Sequence, residues 1–157
     1  MTFTLSSMGF ADGGTLPDVQ VYAQGNRSPQ LSWSGAPEGT KSFAVTCYDP
    51  DAPTGSGFWH WTVANIPADV TELAEGASPS GLPSDAVEGR TDFGSAGFGG
   101  AAPPQGHGPH RYIFTVFAVD TERLDLTPEN SGAIFGFNLH FHTLARAAIP
   151  GIYENRG

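Results

Sequence analysis

Hydrophobic and polar positions alternate along this chain in short runs, and most runs end in glycine, proline or an acidic turn. Residues 2–7 (Thr-Phe-Thr-Leu-Ser-Ser) alternate as an edge strand does, residues 9–17 are turn material, and 19–23 reads as another short strand. Alternation returns over 28–35, with Leu31 and Trp33 on one side, before a turn at 36–40. Residues 41–48 form a core strand that runs into Asp49-Pro50-Asp51-Ala52-Pro53, where the chain must leave the sheet because proline cannot donate to a ladder. Residues 58–66 form the next strong strand, closed by Pro67, with Trp59, Trp61 and Val63 on one side and His60 on the other. Residues 68–97 have no period and read as a long surface excursion, and excursions of that length are usually functional or cover something. Glycines and prolines bar helix over 99–109, and β-branched and aromatic residues make 110–120 a buried strand. Thr127-Pro128-Glu129-Asn130 starts a helix predicted to end near Gly136. Residues 137–142 alternate strictly and 144–149 are alanine-rich, which favours strand over a short helix, and 151–153 are extended. About eight strands with one or two short helices predict a mainly β fold: a two-sheet antiparallel β-sandwich with Greek-key connections.

At 157 residues the chain suits one domain, and 21 glycines with 13 prolines agree with many short strands joined by turns. Seven basic side chains against sixteen acidic ones give a formal charge of −9. No two basic residues are adjacent, so a nucleic-acid or anionic-membrane surface is excluded as an expectation, and any anion must be held locally. Residues 1–10 carry no positive segment and no apolar run long enough for a signal or membrane helix, and Cys47 is the only cysteine. Both features predict a cytoplasmic protein without stable membrane insertion. Cys47 lies inside a core strand and reads as a small apolar residue.

Three strand ends carry the candidate chemistry. Asp49 and Asp51 follow the first, His60 sits in the second, and His110 and Tyr112 open the third, two apart and therefore on one face. Two imidazoles, a phenol and a Gly-rich loop supply hydrogen-bond donors for an oxyanion, and an aspartate beside an imidazole fixes its tautomer. Each piece has a plainer reading: a turn for Asp49–Pro53, a core histidine for His60, a strand cap for His110 and Tyr112. His140 and His142 are expected to face solvent. A metal-dependent enzyme built on Asp49, Asp51, His60 and His110 is a further alternative, but no HxH or HxxxH spacing joins them. No Gly-x-Ser-x-Gly elbow is present and Cys47 is deep in its strand, so no catalytic residue, metal or cofactor is expected.

Asp49-Pro50-Asp51-Ala52-Pro53, His60-Trp61 in a strand, and Pro103-Pro104-Gln105-Gly106-His107-Gly108-Pro109-His110-Arg111-Tyr112 together resemble the phosphatidylethanolamine-binding protein family, in its bacterial and archaeal Raf kinase inhibitor-like branch. Ser28-Pro29 with Leu31-Ser32-Trp33, and Asn65-Ile66-Pro67, also match the pattern. The resemblance implies a small cavity at one end of the sandwich that takes phosphate or phosphorylated headgroups by binding rather than catalysis. It implies a pocket of Asp49, Asp51, Pro53, His60, Pro103, Pro104, His110 and Tyr112, in which the two histidines contact the anion, Tyr112 donates its hydroxyl and the aspartates orient them. It also suggests a cis peptide before Pro53 and a homodimer. Because some eukaryotic relatives modulate kinases or proteases, the resemblance also leaves a kinase or protease inhibitor acting by protein docking as an alternative, although this chain stops soon after Tyr153, without the carboxy-terminal helix that covers the pocket in animal members. Ala101 and Ala102 stand where many relatives carry Gly-Pro, and the role of His107 is open.

Overall fold

The computed structural model describes residues 2–157. Its strands, in chain order, are β1 (Thr4–Ser6), β2 (Leu31–Ser34), β3 (Ser42–Asp49), β4 (Phe58–Pro67), β5 (Glu72–Leu73), β6 (Val87–Glu88), β7 (His110–Val119) and β8 (Thr143–Tyr153), with one α-helix, α1 (Gly132–His142), before β8. They form a three-stranded sheet in the order β1-β2-β5 and a five-stranded sheet in the order β6-β4-β3-β7-β8. All neighbours are antiparallel. The subset β7-β3-β4-β6 is a Greek key, since the chain leaves the edge at β6 and returns to lie beside β3.

Alternation along the central strands decides where the core sits. Phe43, Val45 and Cys47 on β3, with Phe114 and Val116 on β7, face the small sheet and meet Leu5, Leu31, Trp33 and Leu73. Ala44, Ala64, Phe117 and Val119 face the other way and are covered by Phe135 and Leu139 of α1. Strands buried on both faces read as nearly continuous apolar runs. Each large side chain sealed in this way contributes about 1.5–3 kcal/mol.

The helix is the main departure from expectation. Residues 127–130 form a turn, in which Thr127 N donates to Asn130 Oδ1 at 2.7 Å. The cap is Ser131, whose Oγ accepts from Ile134 N at 3.3 Å. Residues 137–142 are helical because Phe135 and Leu139, four apart, cover the outer face of the large sheet; Phe137 and Phe141 are left 65% and 64% exposed. Residues 144–153 do form strand, as one edge strand, where Pro150 costs no ladder bond to a further neighbour. Residues 18–20 make a 3-10 turn, and Val21 forms only an isolated bridge to Ala101. The peptide before Pro53 is trans, and Ser78–Pro79 is the cis bond among the described residues. No helix among them is long and apolar enough to cross a membrane.

A β-bulge shapes the end of the sandwich. Cys47 pairs with Trp61 and Tyr48 with Trp59, which leaves His60 as the extra residue on β4. Past the bulge the side chains exchange faces, so Trp59 lies on the helix side against Tyr48, at 4.5 Å between ring centroids. Gly132 passes so close to the Trp59 indole that a Cβ there would collide with it. Trp61 remains in the inter-sheet core.

Candidate functional site

Because β3 runs antiparallel to both β4 and β7, its last residue lies beside their first residues. Asp49 thus meets Phe58 in register, and His110 and Tyr112 continue the inward-facing set of Phe114 and Val116. The bulge turns His60 into the same space, 5.1 Å from Tyr112 between ring centroids, with Tyr112 in turn 6.4 Å from His110. A cavity of about 230 Å³ results, lined among others by Asp49, Pro53, His60, Pro104, His110 and Tyr112.

Hydrogen bonds fix the proton on two of these rings. Asp49 is 2% exposed; its Oδ1 accepts from Asp51 N and its Oδ2 from His110 Nδ1, both at 2.7 Å. A carboxylate only accepts, so His110 carries its proton on Nδ1. The Nε2 of His110 faces Nδ1 of His107 at 2.6 Å. His60 Nδ1 donates to the Gly99 carbonyl at 2.8 Å, and Gly99 N donates back to the His60 carbonyl at 2.9 Å. This leaves Nε2 of His60 as a lone-pair acceptor. Burial pushes the His60 pKa down and the Tyr112 pKa up, so both stay uncharged near neutral pH.

The sign of the His60 effect is testable. Its folded pKa lies below the ordinary 6.5, so the unfolded chain binds more protons below that pH and stability falls as pH drops from about 6.5. The His60 ring nitrogens should show mainly the neutral, Nδ1-protonated pattern in ¹⁵N spectra at about pH 6.5. An imidazolium pattern at that pH would refute the assignment.

Six of the eight expected pocket residues line the cavity, and two face elsewhere. Asp51 turns outward and forks onto Arg111: Oδ2 accepts from Nε and from the backbone N, and Oδ1 from Nη2, all at 2.9 Å. The guanidinium holds the Asp51 pKa down at about 2. The pair pins the 49–53 loop to β7, and it removes Asp51 from any ligand set with Asp49, His60 and His110. Among the described residues no group of three or more His, Cys, Asp or Glu has the geometry to hold a metal ion. Pro103 borders a different and larger hollow, of about 590 Å³, beside Tyr22, Tyr153 and Arg156. There Arg156 is tied to Glu154 at 3.1 Å and no buried titratable side chains converge.

Two participants lie outside the three motifs, and a third lies in the last motif without an assigned role. Phe58 and Phe93 wall the cavity, and Phe93 packs edge-on to Phe58 at 4.8 Å and to His60 at 5.4 Å. Phe93 belongs to the 68–97 excursion, which docks on β4 where Trp59 N donates to Asp92 Oδ2 at 2.8 Å. Phe93 is the one aromatic residue of that excursion, which was the available hint. The third is His107, whose contact with His110 closes the open side of the network.

A family model described as phosphatidylethanolamine-binding protein matches residues 6–154. The UPF0098 protein YbhB of Escherichia coli K12 is 53% identical over 158 residues, covering 96% of this chain and 99% of that protein. YbcL of the same organism is 58% identical over 133 residues, covering 83% and 73%. The crystal structure of E. coli YbcL, described as a new member of the mammalian PEBP family, superposes with a TM-score of 0.96 at 51% identity, over 98% of this chain and 99% of that one.

Proposed function

Because the chain belongs to the phosphatidylethanolamine-binding protein family, we propose that its cavity binds a small oxyanion, a phosphate or a phosphorylated headgroup, and that it acts by binding rather than catalysis. The observation that carries this reading is the line of His60, Tyr112 and His110 around one cavity, with the buried Asp49 carboxylate behind His110. A phosphate that keeps one P–OH donates to His60 Nε2, while its bare oxygens accept from the Tyr112 hydroxyl and from a protonated His110. Asp49 compensates the charge that His110 then carries. Phe58, Phe93, Pro53 and Pro104 exclude water, which strengthens each hydrogen bond, and give a carbon substituent an apolar wall. This local arrangement works against the overall charge of −9, so selection rests on contact geometry and not on a long-range field.

A binding role fits the hydroxyl and thiol groups nearby. Thr54 Oγ1 at the cavity donates to the Gly57 carbonyl, and burial raises the Cys47 pKa well above the ordinary thiol value. Neither is poised as a nucleophile. Titration with inorganic phosphate, followed by calorimetry and by the imidazole NMR signals, tests the reading. Binding in the millimolar range or tighter is expected, and Tyr112→Phe should weaken it about tenfold, the free energy of one hydrogen bond to a charged group. No heat and no shift at about 10 mM phosphate, or a Tyr112→Phe protein that binds as well as the parent, would count against it.

A further inference from the structure

Both nitrogens of His110 are engaged in this structure: Nδ1 with Asp49 Oδ2 at 2.7 Å, and Nε2 with His107 Nδ1 at 2.6 Å. A ligand held by His110 Nε2 must therefore take the position of the His107 ring. We propose that His107 is a displaceable lid, an intramolecular competitor for the oxyanion that protonation releases; this rests on the oxyanion reading of the cavity.

The two partners differ in freedom. His110 is 1% exposed and clamped by Asp49, whereas His107 is exposed and sits between Gly106 and Gly108, at φ of +77° and +92°. Neither glycine has a neighbour within 4 Å of where a Cβ would stand, so the space around the loop is open. The loop backbone is held by Gly106 N on Asn155 O at 3.0 Å and by His107 N on Pro104 O at 3.1 Å. The His107 side chain can thus rotate away to another rotamer without unfolding the loop.

Proton counting gives the lid its direction. One hydrogen fits the gap between the two rings. With Asp49 fixing the His110 proton on Nδ1, the neutral pair has His107 Nδ1–H donating to His110 Nε2. An oxyanion needs the reverse, a donor at His110 Nε2. A first proton on the pair still leaves one hydrogen in the gap; the second puts protons on both facing nitrogens, which breaks the ring-to-ring bond and leaves His110 with a donor for an anion.

The other charged and titratable groups around His110 leave this logic intact. Asp49 and Asp51 lie at and beyond the end of β3, His60 on β4, Arg111 and Tyr112 on β7 itself, and Tyr153 opposite His110 on β8. Arg111 is engaged by Asp51, and burial biases His60 and Tyr112 toward their neutral forms. The carboxylate that stabilises a second proton on His110 is that of Asp49.

Calorimetric titration of the full chain and of His107→Ala with inorganic phosphate, at about pH 7.5 and about pH 5, on either side of the ordinary imidazole value, tests the lid. At the higher pH the variant is expected to bind about tenfold tighter, because no hydrogen bond has to be broken first. At the lower pH the ratio falls to one or below, because protonation has already opened the lid in the parent. Both proteins meet the same phosphate species at each pH, so the ratio is independent of the ligand's own titration. A variant that binds equally or more weakly at about pH 7.5, or a ratio unchanged by pH, overturns the lid while leaving the oxyanion site standing. Absence of binding in both proteins at both pH values defeats the oxyanion reading and the lid with it.

Discussion

Asp49→Asn is expected to lower the stability of the chain by about 3 kcal/mol and its phosphate affinity by at least about tenfold. The carboxylate is buried and meets two donors, Asp51 N–H and His110 Nδ1–H, each at 2.7 Å. An asparagine brings one acceptor oxygen, so one of those buried donors would face an NH₂ group. The variant also removes the negative charge that allows His110 to hold a second proton, which the oxyanion requires. Thermal unfolding should show a midpoint lower by roughly 6–12 °C, at about 2–4 °C per kcal/mol for a chain of this size. A midpoint within about 2 °C of the parent, together with unchanged phosphate binding, would mean that the Asp49–His110 contact does not support the site.

Gly100→Ala should be as damaging, for a reason in the backbone. The segment around Gly100 is clamped from both sides: Gly99 exchanges two hydrogen bonds with His60, and Ala101 N donates to Gln20 O at 3.1 Å while Tyr22 N donates to Ala101 O at 2.9 Å. Gly100 N itself donates to Asn26 Oδ1 at 2.7 Å. A methyl group at Gly100 would overlap the Gln20 carbonyl oxygen and stand 2.7 Å from Tyr22 N. Both obstacles are main-chain atoms, so the segment has to part from β4 or from residues 20–22. A loss of about 3 kcal/mol is expected by chemical denaturation, at the upper end of the usual cost of overpacking. The His60 Nδ1–H signal, protected in the parent by Gly99, should exchange rapidly in the variant. Retention of both stability and that protected signal would show that the chain accommodates a Cβ at Gly100 without parting from β4 or from residues 20–22.

The most legible parts of the sequence were the central strands and the ends that meet at the cavity. The runs that became β3, β4 and β7 carry enough β-branched and aromatic residues to specify strand, and their polar ends contain Asp49, Pro53, His60, Pro104, His110 and Tyr112, which share one cavity. What stayed hidden depends on contacts between distant residues. The outward turn of Asp51 depends on Arg111, sixty positions away, which takes both carboxylate oxygens. The Trp59-His60-Trp61 alternation is real in the sequence, but the bulge at His60 sends the two tryptophans to opposite faces. Residues 137–142 satisfy a period of two, while Phe135 and Leu139 satisfy a helical spacing. The exposed apolar side of β3, β4 and β7 settles the choice by requiring a cover. His107 has no local pattern at all, and its meaning comes from the nitrogen it faces.

The most direct measurement is the position of phosphate in crystals of this chain equilibrated with inorganic phosphate. Phosphate oxygens are expected at about 2.7–3.2 Å from His60 Nε2 and from the Tyr112 hydroxyl, with the His107 ring turned away from His110. Phosphate seated instead in the larger hollow beside Tyr153, or an unfilled His60–Tyr112 cavity with His107 still against His110 at saturating phosphate, would contradict it.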